Sequence, residues 1–147
     1  MQRVRLFHGT AFTCQLASKA VTHLCTRKCE GCNIVRMSFR LAYIGKNRRR
    51  TKWQRLGNGI YFSPHASKCH FYSGTGVRGM FLADVVLGRS YKPSTMELER
   101  LCPPPGYHSS YGEAGKCGLN YDEYAVFDEV ACLPLLLYVY SYTSTTE

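Results

Sequence analysis

The chain has 147 residues, of which 45% are hydrophobic and 20% charged, so its composition is that of one folded domain and excludes an intrinsically disordered protein. The net charge of +9 is uneven, because the first 55 residues hold 13 Lys and Arg but a single acidic residue. This asymmetry indicates a surface that contacts a dinucleotide or a nucleic acid, with a solvated basic loop as the alternative.

The sequence has no apolar run close to the roughly 20 residues that a membrane helix needs. Its first residues also lack the apolar segment of a secretory signal. We therefore expect no membrane association and an intracellular protein, cytoplasmic or nuclear.

Short apolar or alternating segments predict six strands. They are residues 4–7, 37–43, 60–62, 80–87, 124–127 and 135–142. The segment at residues 80–87 is interrupted only by Asp84 and ends at Gly88, which predicts a buried strand.

Two helices and two loops are predicted between these strands. Residues 11–21 have weak helical periodicity, and Ser63-Pro64 is typical of a helix start, with Ser63 as the N-cap of a helix that continues to about residue 72. Residues 46–55 are a basic loop, and residues 88–118, which hold four of the six prolines, are mostly loop. Few helices among several short strands predict an α+β domain.

Four segments carry a family resemblance, in the order that the family has them. They are Leu6-Phe7-His8-Gly9-Thr10, then Gly59-Ile60-Tyr61-Phe62 followed by Ser67-Lys68 and Tyr72, then Pro103-Pro104-Pro105-Gly106-Tyr107-His108-Ser109, and finally Asn120-Tyr121-Asp122-Glu123-Tyr124-Ala125-Val126-Phe127. Together they resemble the diphtheria-toxin-like ADP-ribosyltransferases, and among these the catalytic domain of the poly(ADP-ribose) polymerases of the His-Tyr-Glu type. The resemblance is greatest to tankyrase-like members and to small fungal proteins that look like these polymerases, and it extends from residue 5 to about residue 142.

This resemblance implies a fold of two packed, mainly antiparallel sheets with few short helices. It also implies an enzyme that transfers ADP-ribose from NAD to an acceptor and releases nicotinamide. A protein side chain is the expected acceptor, and a nucleic acid is the alternative. The implied catalytic residues are His8, Tyr61 and Glu123. The implied NAD-binding residues are His8, Gly9, Thr10, Arg40, Tyr61, Lys68, Cys69 and Tyr72.

The resemblance assigns a physical role to several of these positions. The carboxylate of Glu123 would stabilise the positive charge that develops on the ribose as nicotinamide departs. The backbone of Gly9 would hold the nicotinamide carboxamide, while Tyr61 and Tyr72 would stack on its ring. Cys69 stands where the family usually has a serine, and because a thiol is a weaker donor, we expect weaker nicotinamide binding.

A cluster of cysteines is a further departure from the best-known polymerases. Cys14, Cys25, Cys29 and Cys32 lie in an insertion at about residues 14–32, and their spacing fits a structural zinc site. His23 could replace one of them. Unliganded thiols and disulfides are the alternatives.

Residues 1–147 are thus expected to form a single catalytic domain, monomeric and without the helical regulatory domain of the DNA-damage-activated polymerases. The basic loop at residues 46–55 falls where the family covers the bound dinucleotide. Two other functions stay open: a zinc-stabilised module that binds nucleic acid or ADP-ribose without turnover, and an NAD glycohydrolase.

Overall fold

The computed structural model describes residues 3–14, 23–25, 29–44, 54–73 and 77–143. Within these ranges the fold is α+β, as the sequence pattern predicts, with two mainly antiparallel sheets and few short helices. The strands are β1 (Arg3–Thr10), β2 (Ile60–Phe62), β3 (Val77–Val86), β4 (Ser90–Tyr91), β5 (Ser109–Gly112), β6 (Glu123–Val126) and β7 (Cys132–Ser141). The α-helices are α1 (Glu30–Met37) and α2 (Ala66–His70), and short 3-10 helices span Leu41–Tyr43 and Glu129–Ala131.

One sheet has the strand order β1-β3-β7 and the other the order β2-β6-β5-β4. All pairs are antiparallel except β4 with β5. The two sheets meet where Phe7 and Ser63 exchange backbone hydrogen bonds of 2.8 and 2.9 Å. The core between them includes Leu6, Phe62 and Phe81. No helix among the described residues is long and apolar enough to span a membrane.

Five of the six predicted strands are confirmed, four with shifted ends and one, residues 60–62, with the predicted ends, whereas the prediction for residues 37–43 is wrong. This segment is the end of α1 and a 3-10 helix. The alternation of apolar and polar residues that suggested a strand has another cause. Phe39 is buried against Phe62 and Phe81, while Arg40 beside it is exposed. The backbone N–H of Leu41 donates to the Glu129 carboxylate at 2.8 Å. In a strand this N–H would instead pair with the backbone of a neighbouring strand.

The helix after β2 begins two residues later than predicted, at Ala66. Ser63 is not its N-cap, because the Ser63 backbone pairs with Phe7 and His65 occupies the N-cap position. Residues 11–14 are not helical, and the rest of the helix predicted at residues 11–21 lies outside the described residues, as does the basic loop as far as residue 53. The segment at residues 88–118 is mostly loop, but it also contains the short strands β4 and β5.

Candidate functional site

The end of β1 packs directly against the last turn of α2. A Cβ atom on Gly9 would overlap the carbonyl oxygen of Cys69, so only glycine allows this approach. The Cys69 thiol is buried and donates to the Phe7 carbonyl oxygen at 3.2 Å. Burial also raises the pKa of this thiol to about 12, so it remains protonated at neutral pH.

Glu123, the first residue of β6, places a buried carboxylate beside this junction. Its Oε1 lies 3.4 Å from Nζ of Lys68 on α2, and its Oε2 is buried with no hydrogen-bond partner. Burial raises the pKa of the Glu123 carboxyl, and the positive charges of Lys68 and, more weakly, Arg55 oppose that rise. The arrangement can therefore offer an unpaired carboxyl oxygen, shielded from water, to a bound ligand.

Tyr61 is held rigidly beside this carboxylate. Its hydroxyl donates to the Gly57 carbonyl oxygen at 2.7 Å and accepts from the Leu56 N–H at 3.0 Å. Burial raises the pKa of the Tyr61 phenol far above its usual range, and the nearby Glu123 charge adds to that rise. The ring is therefore neutral, and its orientation is fixed by the loop before β2.

Tyr72 and Lys68 lie on the α2 side of the same region. The ammonium of Lys68 is 5.3 Å from the centroid of the Tyr72 ring, within the range of a cation–π contact. Lys68 therefore contacts both an aromatic ring and the Glu123 carboxylate.

His8 connects β1 to β2. Its Nδ1 lies 2.8 Å from the carbonyl oxygen of Tyr61, and because a carbonyl only accepts, Nδ1 is the donor. The imidazole packs edge-on against Phe39 and also contacts Phe62, which fixes the plane of the ring. Thr10, at the end of the same strand, is buried, and its hydroxyl oxygen has no hydrogen-bond partner.

The structure thus brings together the predicted site residues of β1, β2, α2 and β6. These are His8, Gly9, Tyr61, Lys68, Cys69, Tyr72 and Glu123, while Thr10 follows Gly9 at the buried end of β1. Arg40 has a different partner, because its guanidinium donates to the Glu129 carboxylate at 2.8 Å on an exposed surface. Sequence reasoning missed Arg55, whose charge acts on Glu123, although its place at the end of the basic loop was a usable signal.

A second cluster is formed by the four cysteines of the insertion. Their sulfur atoms all lie within 4.8 Å of one another, with Cys14 at 3.8 Å from Cys29 and 3.5 Å from Cys32. Zinc–thiolate bonds of about 2.3 Å in a tetrahedron require sulfur separations of about 3.8 Å, which these distances fit. Cys25 completes the group, and His23 is not among its members.

The thiols of this set differ in how readily they ionise, because burial raises the pKa of Cys32 to about 12 while the pKa of Cys29 is lowered. Burial raises the pKa of the Cys29 thiol, but hydrogen bonds from Cys32 and Thr13 outweigh that effect and hold the pKa below its usual range. Cys29 immediately precedes α1, and Cys32 lies in its first turn. The four cysteines could therefore hold a metal such as zinc.

Phe12 couples this cysteine cluster to the first sheet. Its ring lies between Gly31 of α1 and Gly79 of β3, and a Cβ atom on either glycine would overlap it. The N–H of Gly31 also donates to the Ala11 carbonyl oxygen at 3.2 Å. The residues that follow Thr10 therefore pack between α1 and β3, and this packing joins the cysteine cluster to the end of β1.

No protein-family model matches this sequence, and no curated protein matches it either.

Proposed function

We propose that this protein is an NAD-dependent ADP-ribosyltransferase with a diphtheria-toxin-like fold and a site of the His-Tyr-Glu type, related to the catalytic domain of the poly(ADP-ribose) polymerases. The observation that carries the proposal is the carboxylate of Glu123. It is buried and paired with Lys68 through one oxygen, while its other oxygen has no partner. Buried polar atoms are normally hydrogen-bonded, so an unpaired carboxylate oxygen is a candidate ligand contact.

The chemistry of NAD suits such a carboxylate. Nicotinamide leaves as a neutral ring, and positive charge develops on the ribose. A fixed anion in a water-poor site stabilises that charge more than it would in water. The free Oε2 of Glu123 could accept a hydrogen bond from a ribose hydroxyl, while the charge of Lys68 opposes the rise in the carboxyl pKa that burial causes.

The neighbouring groups suit the nicotinamide ring. Tyr61 is fixed by two hydrogen bonds to the backbone, so offset stacking on its ring requires little reorganisation, and Tyr72 would supply a second ring. The thiol of Cys69 donates to Phe7 and is not directed to a ligand. In this proposal, recognition of the carboxamide therefore depends on the backbone of Gly9.

The direct test is the substitution Glu123→Gln, which keeps the shape of the side chain and removes its charge. Binding of NAD, measured by calorimetry, should remain within about threefold, while ADP-ribose transfer falls by at least about 100-fold, because the charge acts on the transition state. The matched control is Glu113→Gln, since Glu113 is an exposed carboxylate paired with Lys116. Undiminished transfer by the Glu123→Gln variant would remove Glu123 from the catalytic role.

Labelled NAD separates the competing functions in the same assay. Label recovered in protein or nucleic acid supports a transferase and identifies the acceptor class. Label recovered only as free ADP-ribose indicates an NAD glycohydrolase. Binding of NAD without any loss of nicotinamide indicates a binding module.

We further propose that Cys14, Cys25, Cys29 and Cys32 hold one structural zinc ion. A site with four protein ligands has no open position for catalysis, so its role would be to fix the insertion on the first sheet. Elemental analysis should find about one zinc per chain, and Cys32→Ser should lose it while Cys102→Ser, at an exposed cysteine, retains it. A folded, reduced protein without metal would contradict this part of the proposal.

A further inference from the structure

A row of aromatic rings, three exposed and one half-buried (Tyr140), runs along the edge strand β7 and continues to the end of α2. Tyr138 and Tyr140 alternate along β7, which places them on one face about 7 Å apart, and Tyr142 follows at the same interval. Phe71, directly after α2, is 71% exposed, and Tyr142 is 58% exposed. We call Phe71, Tyr138, Tyr140 and Tyr142 the aromatic surface.

His70 holds three of these rings in fixed positions. Its imidazole stacks on Tyr140 with a 27° interplanar angle, and a hydrogen bond of 3.0 Å joins its Nδ1 to the Tyr140 hydroxyl. The edges of Tyr142 and Phe71 meet the same imidazole at centroid distances of 4.8 and 5.9 Å. Rings that are ordered in advance lose little entropy when a flat ligand stacks on them.

Arg78 of β3 adds positive charge at this surface. It is the cross-strand partner of Tyr140, and its guanidinium carbon lies 5.7 Å from the centroid of the Tyr142 ring. One of its terminal nitrogens donates to the His70 carbonyl oxygen at 2.9 Å, which fixes the side chain. None of the described side chains that form these contacts is a carboxylate.

We propose that the aromatic surface binds single-stranded nucleic acid, with bases stacked on Phe71 and Tyr142 and the phosphate backbone close to Arg78. The combination of flat rings on a sheet with an adjacent cation is the arrangement by which sheets bind unpaired bases. The net charge of +9 adds a general attraction for a polyanion. The proposal is independent of the proposed enzymatic function, although α2 also carries Lys68, so a bound strand would lie beside the candidate site.

Fluorescence anisotropy with labelled oligouridylate and oligothymidylate of about 12 nucleotides tests the proposal, because one binding surface covers about 4–16 nucleotides. Both single strands should bind, and a duplex of the same length should bind weakly, since its bases are already stacked. The double variant Phe71→Ala/Tyr142→Ala should bind at least about tenfold more weakly. The control Tyr107→Ala, which removes an exposed ring elsewhere, should stay within about twofold of the unsubstituted protein.

The variant Phe71→Trp provides a positive readout that does not depend on weakening the protein. It should retain binding, and its fluorescence should be quenched when bases stack on the new indole. Circular dichroism melts establish that each variant is folded at the assay temperature.

Three results would overturn the proposal. They are failure of the unsubstituted protein to bind either single strand at low salt, equal affinity for duplex, and unchanged affinity in the folded double variant. A change of sedimentation coefficient in that variant, without nucleic-acid binding by the unsubstituted protein, would assign the surface to a second copy of the chain instead.

Discussion

Replacement of Lys68 by methionine would leave the buried carboxylate of Glu123 without its nearest positive partner. The two side chains are 13% and 7% exposed, and methionine keeps most of the aliphatic length. Removal of one member of a buried ion pair costs about 3–5 kcal/mol. The lower end applies because the separation of 3.4 Å is longer than a strong charge-assisted hydrogen bond. At neutral pH we expect a loss of about 3 kcal/mol in the free energy of unfolding, or about 10 °C in Tm.

The loss in the free energy of unfolding caused by Lys68→Met should become smaller as the pH is lowered. Burial raises the pKa of Glu123, and loss of the Lys68 charge would raise it further. A carboxyl whose pKa is higher in the folded state than the unfolded value of about 4.3 binds protons more tightly when folded. Stability then falls as the pH rises through the window between the two pKa values. The deficit of the Lys68→Met variant should therefore shrink as the pH is lowered from 7 towards about 5.

Thermal melts across this pH range test the reasoning with four proteins: the unsubstituted chain, Lys68→Met, Glu123→Gln and the double variant. At neutral pH the double variant should be more stable than Lys68→Met, because a neutral amide does not need a cation. The control Lys116→Met should leave Tm nearly unchanged, since its ion pair with Glu113 is exposed. A deficit that is equal at every pH, or a double variant as unstable as Lys68→Met, would refute the ion-pair argument.

Three further predictions follow from buried groups. Thr10→Val should leave Tm unchanged or slightly raised, because the Thr10 hydroxyl has no partner in the folded protein; a large fall in a thermal melt would mean that the hydroxyl is bonded. Gly79→Ala should lower the unfolding free energy by about 1–3 kcal/mol in urea titrations, because the new Cβ displaces the Phe12 ring, and an unchanged midpoint would contradict this packing. At pH 8, iodoacetamide followed by mass spectrometry should label exposed Cys102 much faster than Cys69, whose pKa is raised to about 12 by burial; equal rates would contradict that burial.

Local sequence patterns were sufficient for most of the strands. The apolar run that becomes β3 reflects residues that face the core at regular intervals, and this period is readable without knowledge of the partners. The spacing of the four cysteines likewise predicted a cluster, because metal ligands in one insertion are brought together by a short stretch of chain.

The strand prediction was wrong at residues 37–43, because one buried aromatic residue among more exposed neighbours gives the same apolar–polar pattern as a strand. Phe39 is buried because His8, Phe62 and Phe81 surround it, and these residues come from three different strands. These contacts involve residues far away in the sequence. The residues around Phe39 alone therefore could not show whether one buried side chain or a whole strand causes the pattern.

The sequence by itself determined the α+β class, most strand positions and the identity of the residues with reactive side chains. Only the tertiary structure decided that Lys68 and Glu123, 55 positions apart in the chain, form a buried pair, and that Arg40 pairs with Glu129. It also decided that Cys69 donates to Phe7. The physical reason is that secondary structure follows from periodic local preference, whereas pairing and burial depend on which strands meet across the core.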